Sequence, residues 1–483
     1  MRFGLIIALL LSGLHATAGT LPVPRFTVAP AQPLMDDRLE IKASGLPPNQ
    51  LITLSATSVA QDRLEWRSVA VFTSRPDGTI DLGSQAPVSG TYSSVDAMGL
   101  FWSMEPDADA KSGDHAFFAW SDWLEPVVTE IDGKRGKEVL ASVRIERRFA
   151  RPGVQRTAIG ENGIVGVLYS PGDHQPHPAV ILIGGSEGGF GGPEAAMLAS
   201  RGFAALSLAY FGLDGLPPTL QSVPIEYFDK AVQWMCARPE VVPNHLAVFG
   251  ISRGAEAALM LAAENPHLEA VVARAPSHVR WEGLTARHLP GGPAWTLDGR
   301  ALPYVPNRIP IGFALLYLWD IVVGTPVRQS PLFLRDLAYF GDTAGVEIPV
   351  EQVRGPLLLL SGQDDQIWPS AMMAERIIER LRRNRHPYGD GLLSYEEAGH
   401  WLPTAYVPMR GLRKGMKVAT GGTPEGTARA QADSWPKIRR FLTRALTMDS
   451  TDPGRCGPRY TEGREKKPRT PTSGVHATAS RRQ

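Results

Sequence analysis

Polar and apolar residues alternate along the first third of the chain. Runs such as RLEIKA (38–43), LITLSATSV (51–59), RSVAVFTS (67–74) and VLASVRIERRF (139–149) place side chains of opposite character on opposite faces, the period-two signature of half-buried strands. Turns rich in proline and glycine, such as Arg75-Pro76-Asp77-Gly78, punctuate them. The pattern predicts an antiparallel, Ig-like β-sandwich over residues 20–150, with no cluster of chemically active side chains in it.

From about Val154 the texture changes. The runs AVILIGG (179–185), FAALSLAYF (203–211), HLAVFG (245–250), LEAVVARAP (268–276) and PLLLLSG (356–362) are apolar throughout, as strands covered on both faces must be. Between them PEAAMLASRG, IEYFDKAVQWMCARP, RGAEAALMLAAENP and AMMAERIIERLRRN carry apolar positions at helical spacing. Alternation of β and α on this scale predicts a doubly wound, mostly parallel α/β sheet over residues 151–448. Residues 277–354 break the alternation with an aromatic and proline-rich stretch and the apolar run IPIGFALLYLWDIVVG. An insertion at this point is read either as a lid or acyl pocket or as a core-packing subdomain, because an apolar run alone does not separate the two. The tail, 449–483, has hardly any apolar residues and is expected to be disordered.

At 483 residues, two folded domains plus tails are expected. The N-terminus, MRFGLIIALLLSGLHATAG, has a basic start, an apolar run and a small-residue site, which predicts a signal peptide over 1–18, cleavage after Ala18 and export to the periplasm or beyond. The run is shorter than the ~20 apolar residues of a spanning helix, so no stable membrane span is expected. Lysine plus arginine (50) nearly cancels aspartate plus glutamate (49), so no overall field gathers nucleic acid, and a small-molecule partner is favoured. No protein partner is predicted. Two cysteines, Cys236 in a predicted helix and Cys456 in the tail, give no disulfide framework.

The chemistry-bearing residues fall in the second part. Gly250-Ile251-Ser252-Arg253-Gly254 fits the G-x-S-x-G elbow, in which a strand turns sharply into a helix and presents a serine at the carboxyl edge of the sheet. HLAVFG supplies the strand and RGAEAALMLAAENP the helix. The elbow and the alternating pattern together predict the α/β-hydrolase fold. A serine hydroxyl needs a base to take its proton and an acid to orient that base. His400, in the loop AGHWLP after a strand-like segment, is the candidate base. The acid should follow a strand between nucleophile and base, where SGQDDQ offers Asp364 and Asp365. Spacing does not separate them; the G-x-x-D frame set by Gly362 favours Asp365, with Asp364 as a turn residue. Oxyanion donors are expected from the backbone N–H of Arg253 and from the glycine loop 184–189, at Ser186 or a neighbour. That loop fits neither G-x-G-x-x-G nor G-x-x-x-x-G-K, which argues against a phosphate cradle. No H-E-x-x-H or clustered Cys/His spacing occurs, so neither metal nor cofactor is expected.

The segments IGGSEGG, LASRGFAALSLAY, GISRGAE, SGQDDQIWPS and AGHWLPTAYVP, together with DAMGLFWSMEP (96–106), resemble their counterparts in the type I acyl-CoA thioesterases and bile acid-CoA:amino acid N-acyltransferases. The resemblance spans about Val23 to Leu446 and suggests an exported, bacterial-type member. It implies nucleophile, acid and base at Ser252, Asp365 and His400, and attack on an acyl thioester with transfer to water or an amine. The amidating members resemble this sequence but carry cysteine at the nucleophile position, so serine favours hydrolysis; Cys236 lies before the elbow and does not substitute. Export would separate the protein from cytoplasmic acyl-CoA, which keeps open an oxygen-ester substrate, as in a carboxylesterase or dienelactone-hydrolase-like enzyme. N-acyl transfer to an amino acid and a non-enzymatic binding module are the remaining alternatives.

Overall fold

The computed structural model describes residues 23–106, 120, 122–286, 289–402, 406–410 and 418–447. The signal-peptide and tail expectations lie outside the described residues.

Two antiparallel sheets form the N-terminal part. In the larger, Leu51–Val59 pairs with Glu65–Thr73 on one side and Val127–Arg135 on the other, and Glu138–Arg147 continues the order. The smaller joins Arg25–Ala29, Glu40–Ser44 and Ile80–Asp81. Because alternate side chains share a face, Ile52, Leu54 and Ala56 enter the same core as Ile41, Trp66 and Phe72. The helical turn Gly99–Trp102 caps that core with Leu100, Phe101 and Trp102.

Eight strands build the second sheet: β1 (Gln155–Ile159), β2 (Val165–Ser170), β3 (His177–Ile183), β4 (Ala204–Ala209), β5 (Val241–Ile251), β6 (Ala270–Arg274), β7 (Leu357–Gly362) and β8 (Gly391–Tyr395). Their spatial order is β1-β2-β4-β3-β5-β6-β7-β8. Strand β2 runs antiparallel to both neighbours, and every pairing from β4 to β8 is parallel. The central strands divide their side chains between two cores. Ile181, Val248, Val271 and Leu359 meet helices α2 (Ile225–Cys236), α3 (Arg253–Glu264) and α6 (Ser370–Arg383) on one face. Val180, Leu182, Phe249 and Leu360 meet α1 (Glu194–Ala199) and α7 (Pro424–Thr447) on the other. This two-sided burial is why the strand sequences are apolar without alternation.

Between β6 and β7 the chain forms short strand pairs and two helices, α4 (Ile311–Val323) and α5 (Ser330–Phe340). The insertion has two characters. Val279, Trp281, Val305 and Val346 are buried in a small core with Trp368 and Met373, whereas α4 is largely exposed. A disulfide engages Cys236, which the sparse cysteine count did not foretell.

Charged groups join the two parts. Asp36, next to the first sheet and with its side chain fully buried, pairs with Arg201 (2.7 Å) and Arg439 (3.3 Å) and accepts the Trp435 indole N–H (2.8 Å). Arg201 follows α1 and the other two lie on α7, so one carboxylate ties three segments. Arg147 lies over the Phe101 ring at 4.1 Å and donates to the Tyr406 carbonyl, and burial pushes its guanidinium down to about 9. Removing one member of a buried charge set leaves its partners desolvated and unpaired. Asp36→Ala should therefore lower unfolding free energy by about 3 kcal/mol, read by urea denaturation; a loss within a few tenths of a kcal/mol would show the cluster to be idle.

Candidate active site

Strand β5 and helix α3 meet at Ser252, whose backbone is held at φ 55° and ψ −118°. A serine rarely adopts a positive φ, and the surroundings must impose it. Two glycines allow the turn. A Cβ at Gly250 would lie 2.2 Å from the Gly254 carbonyl oxygen, and one at Gly254 would lie 2.1 Å from the Gly184 oxygen and 2.3 Å from that of Ile183. The Ser252 N–H is fixed by the Arg274 carbonyl at 2.8 Å. The hydroxyl is thereby held at the carboxyl end of β5 with its neighbours in contact on both sides.

His400 follows β8, and its N–H is anchored on the Thr420 carbonyl at 2.8 Å. Its Nε2 lies 3.0 Å from Ser252 Oγ and its Nδ1 lies 2.8 Å from Asp365 Oδ2. All three side chains are buried. Asp365 accepts the backbone N–H groups of Ile367 (3.0 Å) and Trp368 (3.2 Å) on Oδ1, and the Ser370 hydroxyl (2.5 Å) on Oδ2. These donors fix the orientation of the carboxylate. The two adjacent aspartates have different partners: Asp364 turns away, accepting from the Gly422 N–H (2.7 Å) and the Gln366 amide. The Trp368 ring stands edge-on to His400 at 5.9 Å and limits the imidazole's movement.

The predicted oxyanion positions lie on facing segments. Arg253 is the first residue of α3, so its N–H has no acceptor within the helix. Ser186, half-buried, sits in the glycine turn after β3. The Tyr210 hydroxyl clamps that turn by donating to the carbonyls of Gly184 (3.1 Å) and Gly185 (2.8 Å), while the Gly185 N–H donates to the Glu187 carboxylate (3.2 Å). Burial pushes the Tyr210 phenol well above its ordinary value, so it stays a donor. The close approach of Gly254 to Gly184 sets the turn directly against the start of α3.

Two contributors escaped the sequence reading. Ser370, in SGQDDQIWPS, holds Asp365 from the side opposite the backbone donors. Glu256 is fully buried one turn into α3; it pairs with Arg253 (2.8 Å) and accepts the Trp281 N–H (3.0 Å) and the Trp295 indole N–H (2.6 Å). Burial raises its carboxyl and the Arg253 charge opposes this. The Arg253 guanidinium also donates to the Trp281 and Glu282 carbonyls, so the insertion is pinned to the helix that begins at the serine. A glutamate at helical i,i+3 spacing from an arginine was the available signal. Among the described residues no cluster of His, Cys, Asp or Glu could hold a metal ion.

A doubly wound sheet with a serine at its strand-to-helix elbow, within reach of an imidazole and a carboxylate, defines an α/β-hydrolase. More narrowly, the chain belongs to the acyl-CoA thioester hydrolase/BAAT family. Residues 36–161 match the family's N-terminal region, and residues 223–288 and 334–448 match its C-terminal region. The chain is similar to acyl-coenzyme A thioesterase 1 of Homo sapiens, 30% identical over 428 residues that cover 85% of this chain and 94% of that protein. It is also similar to acyl-coenzyme A amino acid N-acyltransferase 1 of Mus musculus, 29% identical over 453 residues, 88% of this chain and 99% of that one. Among solved structures, the α/β hydrolase GrgF from Penicillium sp. sh18 overlaps 61% of this chain and 99% of its own at 15% identity and a TM-score of 0.38, too distant to bear on function.

The crowding at the elbow is directly testable. In Gly254→Ala the new carbon meets two backbone carbonyls that cannot yield, whereas in Gly185→Ala it meets chiefly the Glu187 carboxylate, which can rotate away. Gly254→Ala should lose about 3 kcal/mol and Gly185→Ala less than about 1 kcal/mol. Equal melting temperatures for the two variants would contradict the steric account.

Proposed function

We propose that this protein hydrolyses acyl thioesters of the acyl-CoA class through an acyl-enzyme on Ser252. The observation that carries the reading is the pair of contacts at His400, 3.0 Å to the serine oxygen and 2.8 Å to the Asp365 carboxylate. It is supported by similarity to relatives named acyl-coenzyme A thioesterases. As Ser252 Oγ attacks the thioester carbon, His400 Nε2 takes its proton, and the Asp365 carboxylate offsets the imidazolium charge. The N–H of Arg253 and a donor from the turn at Ser186 face the developing oxyanion. Collapse breaks the C–S bond, and the departing thiolate receives the proton from His400. Water then enters and gives a proton to His400 while attacking the acyl carbon. The C–Oγ bond breaks, Ser252 regains its proton, and the acid leaves.

Serine at the nucleophile position favours water over an amine as the acceptor. Turnover of acyl-CoA, of p-nitrophenyl esters, and of acyl-CoA with added amino acids separates the thioesterase from an oxygen esterase and from an N-acyltransferase. Ser252→Ala should lower turnover on the order of 10⁶. Equal rates for variant and wild type would end the proposal, and an amide as the main product would reassign the acceptor.

The basic start, apolar run and Ala16-Thr17-Ala18 site further support export. N-terminal sequencing of the mature protein should begin at Gly19; an intact Met1 in the fractionated extracellular or periplasmic protein would overturn cleavage.

A further inference from the structure

Helix α4 is unlike the other helices. Ile311 (83%), Leu315 (63%), Leu316 (62%), Leu318 (57%), Trp319 (63%), Val322 (72%) and Val323 (49%) are all exposed to solvent. At 100° per residue these seven fall within one arc of about 160°. The helix's single charged residue, Asp320, lies on the other side with Phe313 and Tyr317, and all three are half-buried. The face turned to water is therefore wholly apolar, while the face turned to the protein holds the charge. The exposed side of α6, by contrast, carries Glu375 and Arg376. Exposed Ile309, Leu334, Tyr339 and Phe340, on neighbouring segments of the same insertion, add to the apolar surface. An exposed apolar surface of this extent is a contact site in a stable protein.

The family match breaks off at residue 288 and resumes at 334, so α4 lies on a segment that the match to the family does not include.

The occupant is identified by the chemistry at the borders. Arg308 and Arg328, just outside the two ends of α4, are exposed and have no ion-pair partner among the described residues. The Arg308 guanidinium lies over the Tyr339 ring at 4.3 Å, and Trp319 lies within the apolar arc. Cations and amphipathic aromatics beside an apolar helix face match anionic headgroups lying over acyl chains. At 1.5 Å per residue the helix is about 20 Å long, short of the ~30 Å hydrocarbon core, so it suits lying in the surface and not crossing it. No described helix is long and apolar enough to cross a membrane.

The route from α4 to the site is short. Six residues beyond α4, the N–H groups of Gln329 and Ser330 bond the Gln366 carbonyl, next to Asp365. Phe333 on α5 stands edge-on to Trp368, which stands edge-on to His400.

We propose that α4 is an interfacial anchor that lies in the headgroup boundary of an anionic lipid bilayer and holds the insertion side of the site against it. Docking itself follows from the helix; the corollary, that long-chain acyl substrate is taken from the bilayer, rests on the thioesterase reading above. Vesicle flotation of the full chain tests the docking. Wild type should float with vesicles of phosphatidylcholine mixed with phosphatidylglycerol, and less with phosphatidylcholine alone. L315S/L316S/W319S should bind roughly tenfold more weakly while hydrolysing a short soluble p-nitrophenyl ester as wild type does. R308E/R328E should lose the preference for phosphatidylglycerol. Ser252→Ala should float like wild type, so a failure of the catalytic reading leaves this readout untouched. Absence of wild-type flotation, or equal flotation of the triple variant, would overturn the anchor. So would a wild-type dimer that the triple variant converts to monomer without any vesicle association, since the face would then join two copies.

Discussion

Ser252 can meet His400 only because its neighbours at 250 and 254 lack a β-carbon. The strand must reverse into α3 within one residue, which drives the serine backbone to a positive φ and brings the Gly254 Cα against the carbonyls of Ile183 and Gly184. Strain of this kind persists only where surrounding packing over-determines it. Here the surroundings are β3 and β6: the first supplies the carbonyls that abut Gly254, and the second ends in Arg274, whose carbonyl holds the Ser252 N–H. The same close approach that fixes the serine also brings the glycine turn of β3 beside the amide of Arg253. Nucleophile placement and oxyanion geometry are thus one packing event.

Buried charges then register the remaining pieces to that event. Burying an ion pair contributes little net stability, but a mispaired one is costly, so such pairs can select one arrangement over close alternatives. Glu256 receives Arg253 from its own helix and Trp281 and Trp295 from the insertion. Arg274 pairs with Glu194 on α1 at 2.9 Å and donates to the Leu402 carbonyl just past His400. Asp36 plays the same part for the sandwich. Arg253 and Glu256 follow Ser252 on α3, and Arg274 donates beside His400, so a slip of these segments would leave charge without a partner in a dry interior.

How much of this could be read in the sequence depended on whether the cause was local. The five apolar strands and the elbow were legible because two-sided burial and glycine spacing act within a few residues. Strands β1 and β2 were not: β1 reads QRTAI and is exposed except at Ile159, so it carries no apolar run. Helix α7 went unassigned, and Pro436 stands inside it, against ordinary helical preference. Asp364 and Asp365 could not be separated by spacing because they share one turn. Their side chains are sorted by partners far along the chain, Gly422 for one and His400 for the other. Ser370 reaches Asp365 within one turn, but that turn's geometry is not written in residue types, and Glu256 gains its Trp281 and Trp295 donors only through tertiary contact. The apolar run of the insertion was legible as apolar, but which side of it faces water was not.

That last ambiguity bears on how the site is reached. The insertion could have packed uniformly, and instead it divides: Trp281 and Trp295 are drawn inward by Glu256 and the Trp368 cluster, while α4 keeps its charge inward and its apolar arc, Trp319 included, outward. A segment under selection only for core packing would show the opposite polarity, since exposing leucine and tryptophan gains nothing in water. The inward half is tied to the elbow by hydrogen bonds from Arg253, and the outward half is tied to the acid loop through Gln366. Any surface that covers α4 therefore acts on a segment joined to both the nucleophile and the acid. Binding there and chemistry at Ser252 are mechanically neighbours, although no residue of α4 takes part in the reaction.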